Sequence, residues 1–505
     1  MPARFVGSID QGTTGTRFMV FDQAGLPVSS AYREHRQVFP EPGWVEHDPL
    51  EIWRNTLDAM AEALETARLS LEDLAAVGVT NQRETTVVWE AASGLPVRNA
   101  IVWQDRRTST RCSNLVEEGL KPFLHERTGL PPDPYFSATK LEWLLDHVEG
   151  LRERGERGEV LFGTIDCWLI WNLTGVHATD PTNASRTLLF NLKSREWDEE
   201  LLTLFRIPRA MLPKVLPSVG RFGEISLSDP RLTGSPPILG NLGDQQAALF
   251  GQAGFSAGEM KCTHGTGSFL LSHVGSDPVW SGMGLLSTIA HDLGRDRVAY
   301  ALEGSVFVTG AAVQWLRDGL GIIRSAEEIE ALAGSVSDTG GLALVPAFAG
   351  LGTPHWNSRA RGTLVGVTRG TTSAHLARAA LESIALQTRD VLEAAAADLG
   401  GGTLQSRFPA LKVDGGAVRN NLLCQIQSDI LGIPVVRPRV NETTALGAAY
   451  AAGLSAGCWA DLEGLRRMWK VDRVFEPRWD EQRRQAAYSQ WKRAVGCALT
   501  WASGE

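Results

Sequence analysis

Apolar runs broken by short glycine turns set the rhythm of this chain. Phe5-Val6-Gly7-Ser8-Ile9-Asp10 leads into Gln11-Gly12-Thr13-Thr14-Gly15-Thr16 and then Arg17-Phe18-Met19-Val20-Phe21, which predicts strand, tight polar turn, strand. Met260-Lys261-Cys262-Thr263-His264, Gly265-Thr266-Gly267 and Ser268-Phe269-Leu270-Leu271 repeat that pattern about 250 residues later. A third turn, Asp414-Gly415-Gly416-Ala417 before Asn420, predicts a strand, a glycine turn and a helix start. Two α/β domains follow from the repeat, 1–251 and 252–505, with Gly251, Gly254 and Gly258 suited to a hinge. Between the turns, Asp48-Pro49 predicts a capped helix start. Residues 76–80 and 342–346 read as short buried strands, and 375–392 has apolar positions at helical spacing. The stretch 441–453 reads as a small-residue helix packed closely against another element. Pro208, Pro213, Pro217, Pro230, Pro236 and Pro237 predict irregular chain over that stretch.

Composition narrows the function classes. With 43% hydrophobic and 21% charged residues, the 505-residue chain belongs with ordinary globular proteins. A net charge of -9 without basic runs argues against nucleic acid as a partner. Residues 1–5 enter a strand-like run with no apolar leader, and the best candidate membrane segment, 445–457, is broken by Gly447 and Gly453. Six cysteines without a Cys-x-x-Cys spacing predict neither a zinc site nor a disulfide framework, so a reducing cytoplasmic setting is expected.

Glycines let backbone N–H groups approach a phosphate, and threonine hydroxyls add donors. The chain has no Gly-x-x-x-x-Gly-Lys-Ser/Thr, so any phosphate site here is not a P-loop. Asp10, at the end of a strand beside the first turn, suits a Mg²⁺ ligand or a turn aspartate bonded to its own backbone; Arg17 could neutralise phosphate charge. Asp244, before Gln245, reads either as a helix N-cap or as a carboxylate accepting a proton from a hydroxyl nucleophile. Arg83-Glu84 follows a strand end and offers a donor–acceptor pair for a vicinal diol, or else a solvated ion pair. Trp103 reads as a pocket wall or as core, and Tyr135 is equally open. The ten histidines show no metal spacing, and His47, His147 and His264 read as structural or surface.

Together these segments resemble the sugar-kinase family with the actin-like ATPase fold, on the branch whose acceptor is glycerol. The resemblance rests on Asp10-Gln11-Gly12-Thr13-Thr14, Pro42-Gly43-Trp44-Val45-Glu46-His47-Asp48, Thr80-Asn81-Gln82-Arg83-Glu84-Thr85-Thr86, Gly243-Asp244-Gln245-Gln246 and Val413-Asp414-Gly415-Gly416-Ala417. It extends through Tyr135-x-Ser137-x-x-Lys140 and Gly362-x-x-x-Gly366-Val367, so it spans nearly the whole chain. It implies two ribonuclease H-like domains around a cleft, and ATP- and Mg²⁺-dependent conversion of glycerol to sn-glycerol 3-phosphate. By the same resemblance Asp244 is the general base, and Arg83, Glu84, Tyr135 and Gln245 bind the hydroxyls. Trp103 and Phe269 pack the carbon chain. Thr13, Thr14, Gly15 and Arg17 contact the ATP phosphates, Asp10 serves magnesium, and Thr266, Gly310, Gln314, Gly416 and Asn420 complete the nucleotide site. A kinase for a related polyol or pentulose, and a nucleotide-switched binding protein of the actin or chaperone type, are the alternatives.

Two departures stand out. Gly15-Thr16 occupies a place where relatives often carry two serines, a change expected to leave the backbone cradle intact. Residues 225–234 do not resemble the loop that binds fructose 1,6-bisphosphate in some bacterial relatives, and this region lacks histidine, so neither form of control is carried over. A homodimer or homotetramer is compatible with the resemblance, with no surface singled out.

Overall fold

The computed structural model describes residues 5–503; the leader reading at residues 1–4 lies outside the described residues. The first glycine turn joins two antiparallel strands as expected, β1 (Phe5–Gln11) and β2 (Gly15–Phe21), and β3 (Pro27–Glu34) extends the meander. On the other side of β1, β4 (Leu74–Asn81) and then β6 (Pro237–Gly243) run parallel to it, and β5 (Val219–Glu224) closes the edge, giving the order β5-β6-β4-β1-β2-β3. Strand β5 lies in the proline-marked stretch expected to be irregular. The prolines flank it rather than interrupt it, and an antiparallel edge tolerates that placement.

A second sheet repeats the plan. β7 (Met260–His264), β8 (Ser268–Gly275) and β10 (Val298–Val306) form the antiparallel meander, with β9 (Leu286–Asp292) at its edge. β11 (Leu411–Asp414) and β12 (Val435–Pro438) then run parallel to β7, and β13 (Val471–Phe475) closes the other side. In each sheet a glycine hairpin sits beside a parallel strand end, the place where α/β sheets gather ligands.

Helix α1 (Pro49–Ala67) starts as read: Asp48 accepts from the Leu50 N–H at 2.9 Å and proline takes the first helical position. Helix α2 (Asp244–Gly251) follows β6 directly, α3 (Gly310–Gln314) follows β10, and α4 (Ser373–Asp398), α5 (Asn421–Leu431) and α6 (Thr443–Ser455) complete the frame of the site. The residues at 342–346 contain a buried strand, Ala343–Val345, but it pairs with Thr363–Val365 and joins neither large sheet.

The small-residue helix α6 packs against the first sheet and α2. A Cβ on Gly447 would stand 1.8 Å from the Ala247 carbonyl, and one on Gly78 of β4 would stand 2.1 Å from that of Ala448. Backbones come this close only without side chains, which accounts for the glycines at the crossing. Ala445, Leu446, Ala449 and Tyr450 of α6 share a buried cluster with Val6, Met19 and Ala76 of the first sheet.

Candidate active site

The end of β4 leaves the sheet at Arg83, whose φ of 55° is unusual for a side-chain-bearing residue. That turn aims the guanidinium into a buried knot of charge. Arg83 donates to both carboxylate oxygens of Glu303 on β10 at 2.5 and 3.0 Å, to the Tyr135 hydroxyl at 2.9 Å, and lies 3.0 Å from Asp244. Arg186 donates to Glu84 at 2.8 Å and to Glu303 at 3.3 Å. Arg83 and Glu84 are 2% and 1% exposed, so they are not a solvated surface pair. Despite its burial, the carboxylates of Glu303, Glu84 and Asp244 hold the Arg83 guanidinium firmly charged.

Asp244 is the first helical residue of α2, with Gly243 at the cap position, so it is not the N-cap that one local reading suggested. Its two oxygens accept from the Gln245 backbone N–H at 2.7 Å and the Gln245 amide at 3.0 Å. The Gly243 N–H is pinned by the Thr182 hydroxyl at 2.8 Å, which fixes where the helix begins. Around these groups, Trp103 meets Tyr135 edge-to-face at 5.5 Å and Phe269 at 6.2 Å. The Arg83 guanidinium lies 5.9 Å from the Phe269 ring. The seven residues expected to contact an acceptor thus converge from five separate segments of the chain; Trp103 and Phe269 are only partly buried, and Trp103 also packs against the core cluster that contains Tyr135.

The Trp103 indole N–H donates to the Thr13 hydroxyl at 2.9 Å, which ties this cluster to the first glycine turn. That turn closes through Gly12 N–H to Gly15 O at 2.9 Å, and Gln37 holds the Thr13 carbonyl at 2.9 Å. Asp10 and Arg17 face each other across the hairpin. Burial pushes the Asp10 carboxyl up to about 7, with Arg17 opposing and Glu442 and Asp244 adding to the shift. Arg17 is paired with Glu442, just before α6, and its guanidinium lies 5.5 Å from the Tyr32 ring. Thr14 is exposed and approaches the Tyr32 hydroxyl at 3.1 Å. Gly15 is packed against β3, where a Cβ would meet the Arg33 carbonyl at 2.4 Å and the Tyr32 ring at 2.6 Å.

On the second sheet, Thr266, Gly310, Gln314, Gly416 and Asn420 line one cavity of about 350 Å³. The second glycine turn is bonded to the start of α3: Thr266 O accepts from Thr309 and Ala311, and Gly265 O accepts from Gly310 at 3.0 Å. Gly415 takes a φ of 89°, and a Cβ there would strike the His264 carbonyl at 2.5 Å. A Cβ on Gly416 would meet nothing within 4 Å, so this backbone leaves open space at the cavity wall. Asn420 caps α5 by accepting from Leu423 at 2.9 Å. Val313, Ile329, Leu381, Ile384 and Leu423 give the cavity an apolar stretch of wall that suits the flat face of a base, and Arg317, Glu327, Glu330 and Arg419 add charged groups to its lining. After α3 the chain makes a π-helical turn, Trp315–Gly319, a feature frequent near functional sites.

Three charged residues at the acceptor end were not among the expected ones: Glu303, Arg186 and Lys261. Two of them carry a sequence signal, a single charge within a buried strand (Leu302-Glu303-Gly304 and Met260-Lys261-Cys262). Among the described residues no group of three or more His, Cys, Asp or Glu side chains is placed to enclose a metal, and no helix is long and apolar enough to cross a membrane.

Comparison with known proteins bears on this geometry. Residues 5–251 match the model of the FGGY family of carbohydrate kinases, N-terminal domain, and residues 260–456 match that of its C-terminal domain. The chain is 55% identical to glycerol kinase 2 of Thermotoga maritima over 501 residues, covering 99% of both chains. It is 55% identical to the glycerol kinase of Halobacterium salinarum, covering all of both. The crystal structure of Plasmodium falciparum glycerol kinase with ADP superposes with a TM-score of 0.91 at 35% identity, over 98% of each chain. A gluconate kinase from Lactobacillus acidophilus shares the fold with a TM-score of 0.86 at 21% identity.

Proposed function

Because the chain belongs to the FGGY family of carbohydrate kinases, with its two-domain actin-like fold, we infer that it phosphorylates glycerol with ATP and that Asp244 is the general base. The observation that carries this reading is the continuity of the two sites. Trp103 packs against Tyr135 in the acceptor cluster and bonds Thr13 of the first glycine turn, which supports a reading in which the acceptor hydroxyl and the terminal phosphate are brought together beside Asp244.

Arg83, Glu84, Tyr135 and Gln245 bind the hydroxyls of glycerol, and Trp103 and Phe269 cover its carbons. Asp244 takes the proton of the terminal hydroxyl as that oxygen attacks the γ-phosphorus. The bond from the γ-phosphorus to the β,γ-bridging oxygen breaks, ADP leaves with the electron pair, and sn-glycerol 3-phosphate is formed. Phosphoryl transfer leaves the protein little covalent work, so positioning and charge neutralisation supply most of the acceleration. Thr13, Thr14, Gly15 and Arg17 contact the phosphates. Arg17 must exchange Glu442 for phosphate oxygen to do so. Thr266, Gly310, Gln314, Gly416 and Asn420 hold the nucleoside and complete the site from the second half. Closure of 1–251 on 252–505 excludes water that would otherwise hydrolyse ATP.

Asp10 fits a Mg²⁺ that arrives with the nucleotide. It is one partly open carboxylate beside the first glycine turn, and its proton affinity is raised chiefly by burial, with Glu442 and Asp244 adding to the shift against Arg17. Bound there with the nucleotide, Mg²⁺ would be held by the Asp10 carboxylate and would supply neutralisation of phosphate charge. The six free cysteines suit a reducing compartment, and we place the activity in the cytoplasm.

The test is an ADP-release assay over glycerol, erythritol, xylulose and ribulose with wild type and Asp244→Asn. Glycerol should be the preferred acceptor, and the variant should lose about 10²–10⁴-fold in kcat while still binding ATP. Near-normal turnover by Asp244→Asn would remove Asp244 from the role of base.

A further inference from the structure

Lys261 lies on β7, in the second sheet, and its side chain is fully buried. Its ammonium donates to the side-chain oxygen of Gln245, to the Thr263 hydroxyl at 2.9 Å and to the Phe269 carbonyl at 3.3 Å. All three acceptors are neutral, and among the described residues Lys261 forms no ion pair within 4 Å. A buried ammonium without a carboxylate partner is costly and uncommon. Burial lowers its proton affinity, while Asp414, Asp244 and Glu303 in its surroundings favour the charged form.

Two of the three partners of this ammonium, Gln245 and Phe269, are residues assigned to the acceptor, and an ammonium only donates. The Gln245 side chain must therefore turn its oxygen to Lys261 and its NH₂ to Asp244, where it donates at 3.0 Å. With the Gln245 backbone N–H at 2.7 Å and Arg83 at 3.0 Å on the other carboxylate oxygen, the carboxylate plane is held from three directions. Without Lys261 the amide could reverse and offer its oxygen to the carboxylate, which would repel it.

We propose that Lys261 is a positioning residue for the transfer: acting through the Gln245 amide, it aims the Asp244 carboxylate at the acceptor hydroxyl and ties that aim to the second sheet. The inference rests on Asp244 being the base. It predicts that Lys261 affects the chemical step while leaving the nucleotide cavity alone, since none of its three bonds reaches that cavity's wall.

A double-variant cycle on the full-length enzyme tests it, with Lys261→Met, Gln245→Ala and both together, each checked for folding by thermal melting. Lys261→Met should lower kcat by about 10- to 100-fold, the scale of a misaimed reacting group, with the KM for ATP within about twofold of wild type. In the Gln245→Ala background the same substitution should lower kcat by no more than about twofold, because groups acting as a unit are non-additive. Lys261→Arg, which keeps a donor charge on that strand, should recover part of the loss. If Lys261→Met does not fold, Lys261→Ala, which also removes the donor, takes its place in the cycle. Additive effects on kcat, or a folded Lys261→Met or Lys261→Ala enzyme with wild-type kcat, would overturn the proposal. Asp244→Asn is assayed alongside. If it is inactive while the cycle is additive, only the role of Lys261 fails; if it is active, the assignment of the base fails.

Discussion

Replacing Glu303 with Gln isolates the electrostatic support of the acceptor site. Arg83, Arg186, Glu84 and Glu303 form a buried quartet with side-chain exposures of 2%, 0%, 1% and 0%, and their formal charges sum to zero. Although burial pushes its carboxyl up, Arg186 and Arg83 hold Glu303 below the usual carboxylate value. A depressed folded value means that its contribution to stability is present above the ordinary pH range of a carboxylate and is lost only as pH falls through the folded value, so an assay at pH 7 sees all of it. Glu303→Gln keeps the shape but leaves the quartet at +1, and turns an NH₂ toward two guanidinium groups that only donate. Removing one partner of a buried pair typically costs about 3–5 kcal/mol. The free Arg83 must then lean on Asp244 and Glu84, which shifts both the hydroxyl-binding guanidinium and the base. Urea unfolding at pH 7 should therefore show a loss of about 3–5 kcal/mol, and the KM for glycerol should rise at least about tenfold, equivalent to 1.4 kcal/mol. The double variant Glu303→Met with Arg186→Met restores the zero sum and should be more stable than the two single losses added together. A Glu303→Gln enzyme that loses less than about 1 kcal/mol and binds glycerol normally would refute the reasoning, because the quartet would then not be what holds Arg83.

Gly15→Ser tests how much room the hairpin leaves for a side chain against β3. Its Cβ would stand 2.4 Å from the Arg33 carbonyl, so the hairpin should lose about 1–3 kcal/mol, read by thermal melting, and the KM for ATP should rise. The buried histidines predict acid sensitivity. Burial lowers His47 and His291 to about 3 and His264 and His273 to about 4, so below pH 6.5 the unfolded chain binds protons that the fold refuses. Each then lowers stability by about 1.4 kcal/mol per pH unit as pH falls from 6.5 toward its folded value. Urea unfolding at pH 7 and 5.5 measures the sum, and His291→Phe should narrow the gap between the two curves.

What the sequence made legible was mostly local. The two hairpins, the Asp48–Pro49 helix start and the glycine turn after Asp414 are each specified by neighbours within a few residues, and they stand where they were read. Arg83 and Glu84 were legible as a pair, but not their burial, because Glu303 lies 220 positions from Arg83 and Arg186 lies 102 from Glu84. Lys261 was visible as one polar residue in a buried strand, yet only the folded chain shows that its ammonium meets Gln245. Strand β5 was hidden by its flanking prolines, and the helix at 443–455 revealed its small-residue face without revealing the surface it would meet.

That helix has a consequence for how the chain can be cut and recombined. The cover for Val6, Met19 and Ala76 of the first sheet is encoded more than 350 residues later, by Ala445, Leu446, Ala449 and Tyr450. The glycine hinge near residue 251 looks like a seam, yet a fragment ending there would carry an uncovered apolar sheet face and a helix α2 without its partner. A chimaera between relatives should therefore inherit 443–455 from the same parent as its first half. The molecule has two large sheets, but as a heritable unit it is a single piece.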